Sequence, residues 1–217
     1  RFEPPQRLYG REREAAELVS AFDQVAGGGV CTVRIAGGAG IGKTSLVQEM
    51  HRAITRCNGI FAAGKFDQLR RDVPFSALVD ALQELVEQLL TGGPDAVDEY
   101  RRTILAVVGG NGRVLLDVIP SLELIIGPQP EVPMLTGVEA QNRFTMVFQN
   151  FIQVLARKAH PLVLFLDDMQ WADPASLGLV TGMLSRPGTE ALLLVQAYRD
   201  GEVDAAHPLA LALHEQE

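Results

Sequence analysis

The chain has 217 residues, 47% of them hydrophobic, and a formal net charge of −8. That length holds one sizeable core, and the acidic balance argues against a nucleic-acid motor whose working surface must neutralise phosphates. The longest apolar runs, 162–166 and 191–197, fall well short of the roughly 20 residues of a membrane-crossing helix, and two cysteines, Cys31 and Cys57, form neither a metal spacing nor a disulfide framework.

No signal peptide is visible, so membrane insertion is not expected and a reducing cytoplasm is the natural setting. Residues 1–6, with Pro4-Pro5, read as a linker, and 13–25 as a helix that ends at the flexible Gly27-Gly28-Gly29 turn. The apolar stretch 30–36 then reads as a strand. It runs directly into Gly37-Gly-Ala-Gly-Ile-Gly-Lys-Thr44, which fits G-x-x-x-x-G-K-[ST]. A phosphate chain has to be wrapped by backbone N–H groups that side chains would obstruct, and Gly37, Gly38, Gly40 and Gly42 supply that freedom. Lys43 is expected on the β- and γ-phosphates and Thr44 on Mg²⁺, with a helix over 43–51 adding its positive dipole end. Ala39 and Ser45 complete the stretch in contact with phosphate, and Ile41 and Leu46 are expected to anchor it to the core.

A second strand is expected over 60–66, and Pro74 opens a helix with apolar positions Leu78, Leu82, Leu85, Val86 and Leu89 at helical spacing. Further helices are expected at 97–108, 113–119 and 139–159, separated by the proline-rich connector 127–133. Residues 74–160 thus form a mostly helical insert. The stripe of Phe144, Phe148 and Phe151 reads as core, and the pairs Arg70-Arg71 and Arg101-Arg102 as solvated helix ends.

Residues 161–168, Pro-Leu-Val-Leu-Phe-Leu-Asp-Asp, are an apolar run ending in paired acids, the pattern of a buried parallel strand with charge at its carboxyl edge. It looks like a Walker B motif, with Asp167 toward Mg²⁺ and Asp168 polarising the attacking water. The same two acids would also suit the cap of the next helix. Asp173 and Pro174 suit the start of a helix over 175–184. The last apolar run, 191–198, stops at Arg199, which reads either as a contact to a γ-phosphate or as a surface arginine closing a strand; its place relative to the other motifs favours the first.

Four segments carry a family resemblance: Leu-Tyr-Gly-Arg-Glu at 8–12, Gly-Lys-Phe-Asp-Gln at 64–68, Phe-Leu-Asp-Asp-Met-Gln-Trp-Ala-Asp at 165–173 and Ala-Tyr-Arg-Asp at 197–200. They resemble the AAA-type ATPase region of STAND signal-transduction ATPases. The nearest likeness is to large bacterial signalling proteins that carry this region between a serine/threonine-kinase-like domain and GAF and histidine-kinase modules; maltose-regulator-type activators are more distant. The resemblance spans 8 to about 208. It implies an α/β P-loop NTPase fold, three-layered with a parallel sheet in the order 5-1-4-3-2, and an ATP/ADP-operated switch. By the same resemblance Tyr9, Gly10 and Arg11 lie near the adenine, Asp167 serves Mg²⁺, Asp168 is the catalytic acid, Arg199 senses the γ-phosphate and Asp173 braces the acidic segment.

Such ATPases continue into a fifth strand, a helical lid and often a winged-helix domain, which the 18 residues after Arg199 cannot hold. The chain also opens at Arg1 without Met, so it is expected to be one ATPase domain, 1–217, taken from a larger protein. Its first strand is then expected at a sheet edge. The leading expectation is a regulatory ATPase with slow Mg-dependent hydrolysis whose partners are adenine nucleotide, other domains of the same polypeptide and, in one nucleotide state, a second copy. An ADP-holding scaffold with negligible turnover is the alternative. An AAA+ remodelling motor is disfavoured by the charge and the lack of a supported arginine finger, and a GTPase by the lack of an Asn-Lys-x-Asp segment.

Overall fold

The computed structural model describes residues 10–214; Tyr9 and the segments 1–9 and 215–217 lie outside the described residues. A parallel four-stranded sheet in the order β1-β4-β3-β2 organises the chain, with β1 at Val30–Ala36, β2 at Ile60–Lys65, β3 at Leu162–Asp167 and β4 at Leu192–Tyr198. Alternation along the central strands assigns their side chains to two cores. Val163, Phe165, Leu193 and Val195 face one core with Phe22, Leu46 and Ile54, whereas Leu162, Leu164, Leu192 and Leu194 face the other with Leu82, Phe148 and Leu177.

Helices α1 (Glu12–Ala26), α2 (Lys43–Gln48) and α3 (His51–Arg56) cover the first face. The second is covered by α4 (Ser76–Leu90), α5 (Pro94–Val108), α6 (Gly112–Leu116), α7 (Glu123–Ile126), α8 (Gly137–Leu155), α9 (Pro174–Leu184) and α10 (Pro208–His214). The result is three layers, α/β/α. With helices on both sides, β3 and β4 are buried almost throughout, which is why they read as continuous apolar runs. Among the described residues β1 pairs with β4 alone and forms one edge of the sheet.

Several boundaries differ from expectation. The single helix expected over 43–51 is two short ones, α2 and α3, which meet at Glu49–Met50. The helix expected to open at Pro74 opens at Ser76, because Phe75 takes a left-handed conformation (φ 63°) and its ring packs 4.5 Å from that of Phe144. Helix α8 stops at Leu155 instead of continuing to 159, where Arg157 and His160 pair in a tight antiparallel bridge. Strand β2 ends at Lys65, one residue early. The basic pairs are also more engaged than solvated helix ends: Arg70 pairs with Asp80 at 2.6 Å, Arg71 stands over the Trp171 ring at 5.3 Å, and Arg101 donates to Ile125 O. The phenylalanines of α8 are buried, in keeping with a core stripe, and Cys31 and Cys57 are half-buried free thiols beside the first core.

Helix α4 lies close on β2, and Gly64 sets that approach: a Cβ there would sit 2.1 Å from Ala77 O and 2.9 Å from its carbonyl carbon. Both are backbone atoms that cannot rotate away. Gly64→Ala is therefore expected to destabilise the domain by about 1–3 kcal/mol, read as a lower urea midpoint at unchanged m-value.

Candidate nucleotide site

The parallel sheet delivers its strand ends to one edge, and the expected site residues gather there. At the end of β1 the Gly37 N–H donates to Tyr198 O at 3.3 Å, tying the glycine loop to β4. Gly40 (φ 72°) and Gly42 (φ 85°) take left-handed conformations that turn the chain into α2. At Gly37 a Cβ would meet Ile41 Cδ1 at 2.1 Å. Ile41 itself is not a core anchor, being 37% exposed over the loop, whereas Leu46 is buried as expected.

Lys43 is buried, and its ammonium donates to Gly37 O at 2.7 Å and Gly38 O at 2.9 Å. Thr44 Oγ1 donates to Asp167 Oδ2 at 3.2 Å, which joins the start of α2 to the end of β3. These contacts surround a cavity of about 260 Å³ lined by residues 39–45, Lys65, Asp167, Asp168 and Arg199. Every residue expected to act on phosphate or metal thus comes together there, with Gly37 and Gly38 reached through the Lys43 side chain.

Asp168 is the electrostatic centre. It is buried, and it has left-handed backbone angles (φ 50°, ψ 43°) that an Asp tolerates better than most residues. Its carboxylate meets Lys65 Nζ and Arg199 Nε, each at 3.3 Å, and accepts from Gln170 Nε2 at 3.1 Å. Burial pushes this carboxyl up, but the Gln170 hydrogen bond, the Lys65 ammonium and the Arg199 charge outweigh it and leave the group below the usual Asp value. Arg199 is pulled toward Glu202, whose carboxylate accepts from Nη1 at 2.9 Å; that bond first and Asp168 second hold its guanidinium above its ordinary value.

Lys65 and Gln170 are the two site residues that the sequence reading did not single out. Lys65 is at the end of β2 in register with Asp167, so parallel pairing alone puts it beside the acids. Gln170 shows no sequence signal beyond its place in the segment 165–173.

Asp173 takes the helix-cap position that its sequence context suits. It caps α9 by accepting from Ser176 N at 2.9 Å and from Ser176 Oγ at 2.5 Å, and it also accepts from Phe75 N at 3.3 Å. It therefore ties the start of α9 to the strained turn before α4.

The expected adenine contacts are only partly gathered. Arg11 lines a second cavity of about 530 Å³ between α1 and β1, which shares Ile41 with the first. Gly10 is exposed, donates to Glu12 Oε1 at 3.3 Å, and lines neither cavity.

The donor set fits a Mg-nucleotide. The glycine loop with a buried lysine suits a polyphosphate. Among the described residues no group of three or more His, Cys, Asp or Glu forms a metal cage. The pair of Thr44 hydroxyl and Asp167 carboxylate suits Mg²⁺, which keeps waters and phosphate oxygens as its other ligands.

A parallel α/β sheet with a glycine loop after its first strand and paired acids at the end of its third defines a P-loop NTPase-like fold. Residues 7–195 match the AAA ATPase domain family, and the chain belongs to it. It is 39% identical over 174 residues to hybrid signal transduction histidine kinase G of Dictyostelium discoideum, an alignment covering 80% of this chain and 5% of that protein. The crystal structure of Cdc6p from Pyrobaculum aerophilum superposes with a TM-score of 0.49 at 14% identity, over 95% of this chain and 44% of that one. No described helix is long and apolar enough to cross a membrane.

Asp173→Ala removes a helix cap and leaves the Ser176 and Phe75 amides without their carboxylate acceptor. It is expected to cost about 2–3 kcal/mol, measured as a loss of unfolding free energy in urea.

Proposed function

We propose that this domain is an ATP-binding regulatory ATPase that works as an ATP/ADP conformational switch in a multidomain signalling protein and hydrolyses ATP slowly. The observation that carries this reading is the placement of Asp168: the acid shares one cavity with the glycine loop, yet its carboxylate is held by Lys65 and Arg199 at 3.3 Å each. An acid so engaged has to exchange partners before it can act on water, which favours slow turnover that depends on conformation.

In this reading Lys43 leaves Gly37 O and Gly38 O to take phosphate oxygens, and the loop amides wrap the phosphate chain. Thr44 and Asp167 hold Mg²⁺, which supplies charge neutralisation at the phosphates when bound. Arg199 turns from Asp168 and Glu202 toward the γ-phosphate. Asp168, released, orients the attacking water and accepts its proton. The cavity shared by Arg11 and Ile41 takes the nucleoside. After γ-phosphate leaves, Arg199 returns to Asp168, and the two nucleotide states differ in the strand-end loops of β3 and β4.

A second reading, an ADP-holding module that hardly turns over, is favoured by the same triple engagement of Asp168. Support for a signalling context comes from the kinase relative, whose host protein is far longer than this chain.

Titration calorimetry with Mg-ATP, Mg-ADP and Mg-GTP tests the pocket. Lys43→Ala is expected to weaken adenine-nucleotide binding by at least about 100-fold; near-native affinity in that variant would refute the assignment. Asp168→Asn separates the two readings, since it is expected to abolish phosphate release while leaving Mg-ADP affinity within about twofold. A wild-type domain that binds Mg-ADP tightly and shows no measurable turnover establishes the ADP-holding reading.

A further inference from the structure

Gln170 belongs to the Asp168 cluster without lining the cavity: it is 1% exposed and sits in the short 3₁₀ turn that follows the acid. Its amide is bound at both ends. Nε2 donates to Asp168 Oδ1 at 3.1 Å, and Oε1 accepts from the Arg199 backbone N–H at 3.2 Å. The amide has one orientation here, because a backbone N–H only donates and so the oxygen must face Arg199, which leaves the NH₂ for the carboxylate. Direct pairing of β3 with β4 stops at Leu166 and Gln196, two and three residues short of Asp168 and Arg199. Beyond that point the Gln170 amide continues the connection between the two strand tips. The Arg199 guanidinium meets the same Oδ1 at 3.3 Å, so both the backbone and the side chain of Arg199 are attached to the acid.

We propose that Gln170 is a positioning residue that couples Asp168 to the tip of β4: it holds the carboxylate through Nε2 and follows the Arg199 backbone through Oε1. A shift of Arg199 on contact with a γ-phosphate is thereby passed to the acid. The role rests on the switch reading above. It explains why a buried amide stands between the Asp168 carboxylate and the Arg199 backbone N–H with neither of its ends unpaired.

The test uses Gln170→Met, which keeps the volume and loses both hydrogen bonds, and Gln170→Glu, which keeps an acceptor for Arg199 and loses the donor to Asp168. Trp171, the single tryptophan, is the next residue and reports on the same turn through its emission. In the wild type, Mg-AMP-PNP and Mg-ADP are expected to give different emission. In Gln170→Met that difference should vanish and kcat should fall by about tenfold or more, with Mg-ADP affinity and KM within about twofold of wild type. Gln170→Glu should show the same fall in kcat at unchanged ADP affinity, and it decides the matter if the Met variant does not fold. Wild-type kcat and a retained emission difference in the folded variants overturn the coupling alone. So does a loss of ADP affinity in step with a lower Tm, which marks a merely structural role. A wild-type chain that binds no adenine nucleotide overturns the switch reading and the coupling with it.

Discussion

One carboxylate governs the arrangement of this domain. Asp168 sits where a buried strand ends, and a charge in that position is costly unless donors and cations surround it. Three groups supply that surrounding: Lys65 from the end of β2, Arg199 from the end of β4, and Gln170 from the turn just beyond the acid itself. With β3 between β2 and β4, the two cations arrive from opposite sides of the acid. The order of strands is thus also the order of charges, and any exchange of Asp168 partners has to be felt at both neighbouring strand tips.

The second half of the site depends on the same geometry. The glycine loop leaves β1, is tied to β4 through Gly37 and Tyr198, and returns to β3 through Thr44 and Asp167. Lys43 folds back on the loop carbonyls, so its ammonium is satisfied within the loop itself. On the far side, Asp173 holds the Phe75 turn and the first turn of α9 together, and Arg71 stacks on Trp171. The end of β2 and the loop after it are therefore attached to the acidic segment by Lys65, Arg71 and Phe75. The chain that carries this geometry belongs to the AAA ATPase domain family.

Much of this was legible in the chain. The apolar runs 162–166 and 191–197 mark β3 and β4 because strands buried on both faces carry no polar alternation, whereas β1 is a half-buried edge strand that carries Thr32 and Arg34 and is marked by the glycine loop that follows it. The glycine spacing marks the loop because only glycine accommodates φ of 72° and 85° at Gly40 and Gly42 without strain. Element ends were less legible. Phe75 delays α4 by a left-handed turn that its packing on Phe144 and its bonds to Asp173 and Ser176 sustain, all of them contacts distant in sequence. The expected helix over 43–51 breaks at Glu49–Met50 although no Gly or Pro marks the place.

By itself, then, the sequence determined an α/β class, the loop and acid pair, and the candidacy of Lys43, Thr44, Asp167, Asp168 and Arg199, since these follow from apolar runs, from the glycine spacing and from charged residues at strand ends; the three-layer arrangement was implied by the family resemblance. Only the tertiary structure decided what each of them touches. Lys65 enters the site through parallel register with Asp167, and Gln170 through an amide that must find both a donor and an acceptor 1% exposed to water. Such partners are chosen by the lateral order of strands and by the need to satisfy buried charge, and neither is written in the residues that flank them.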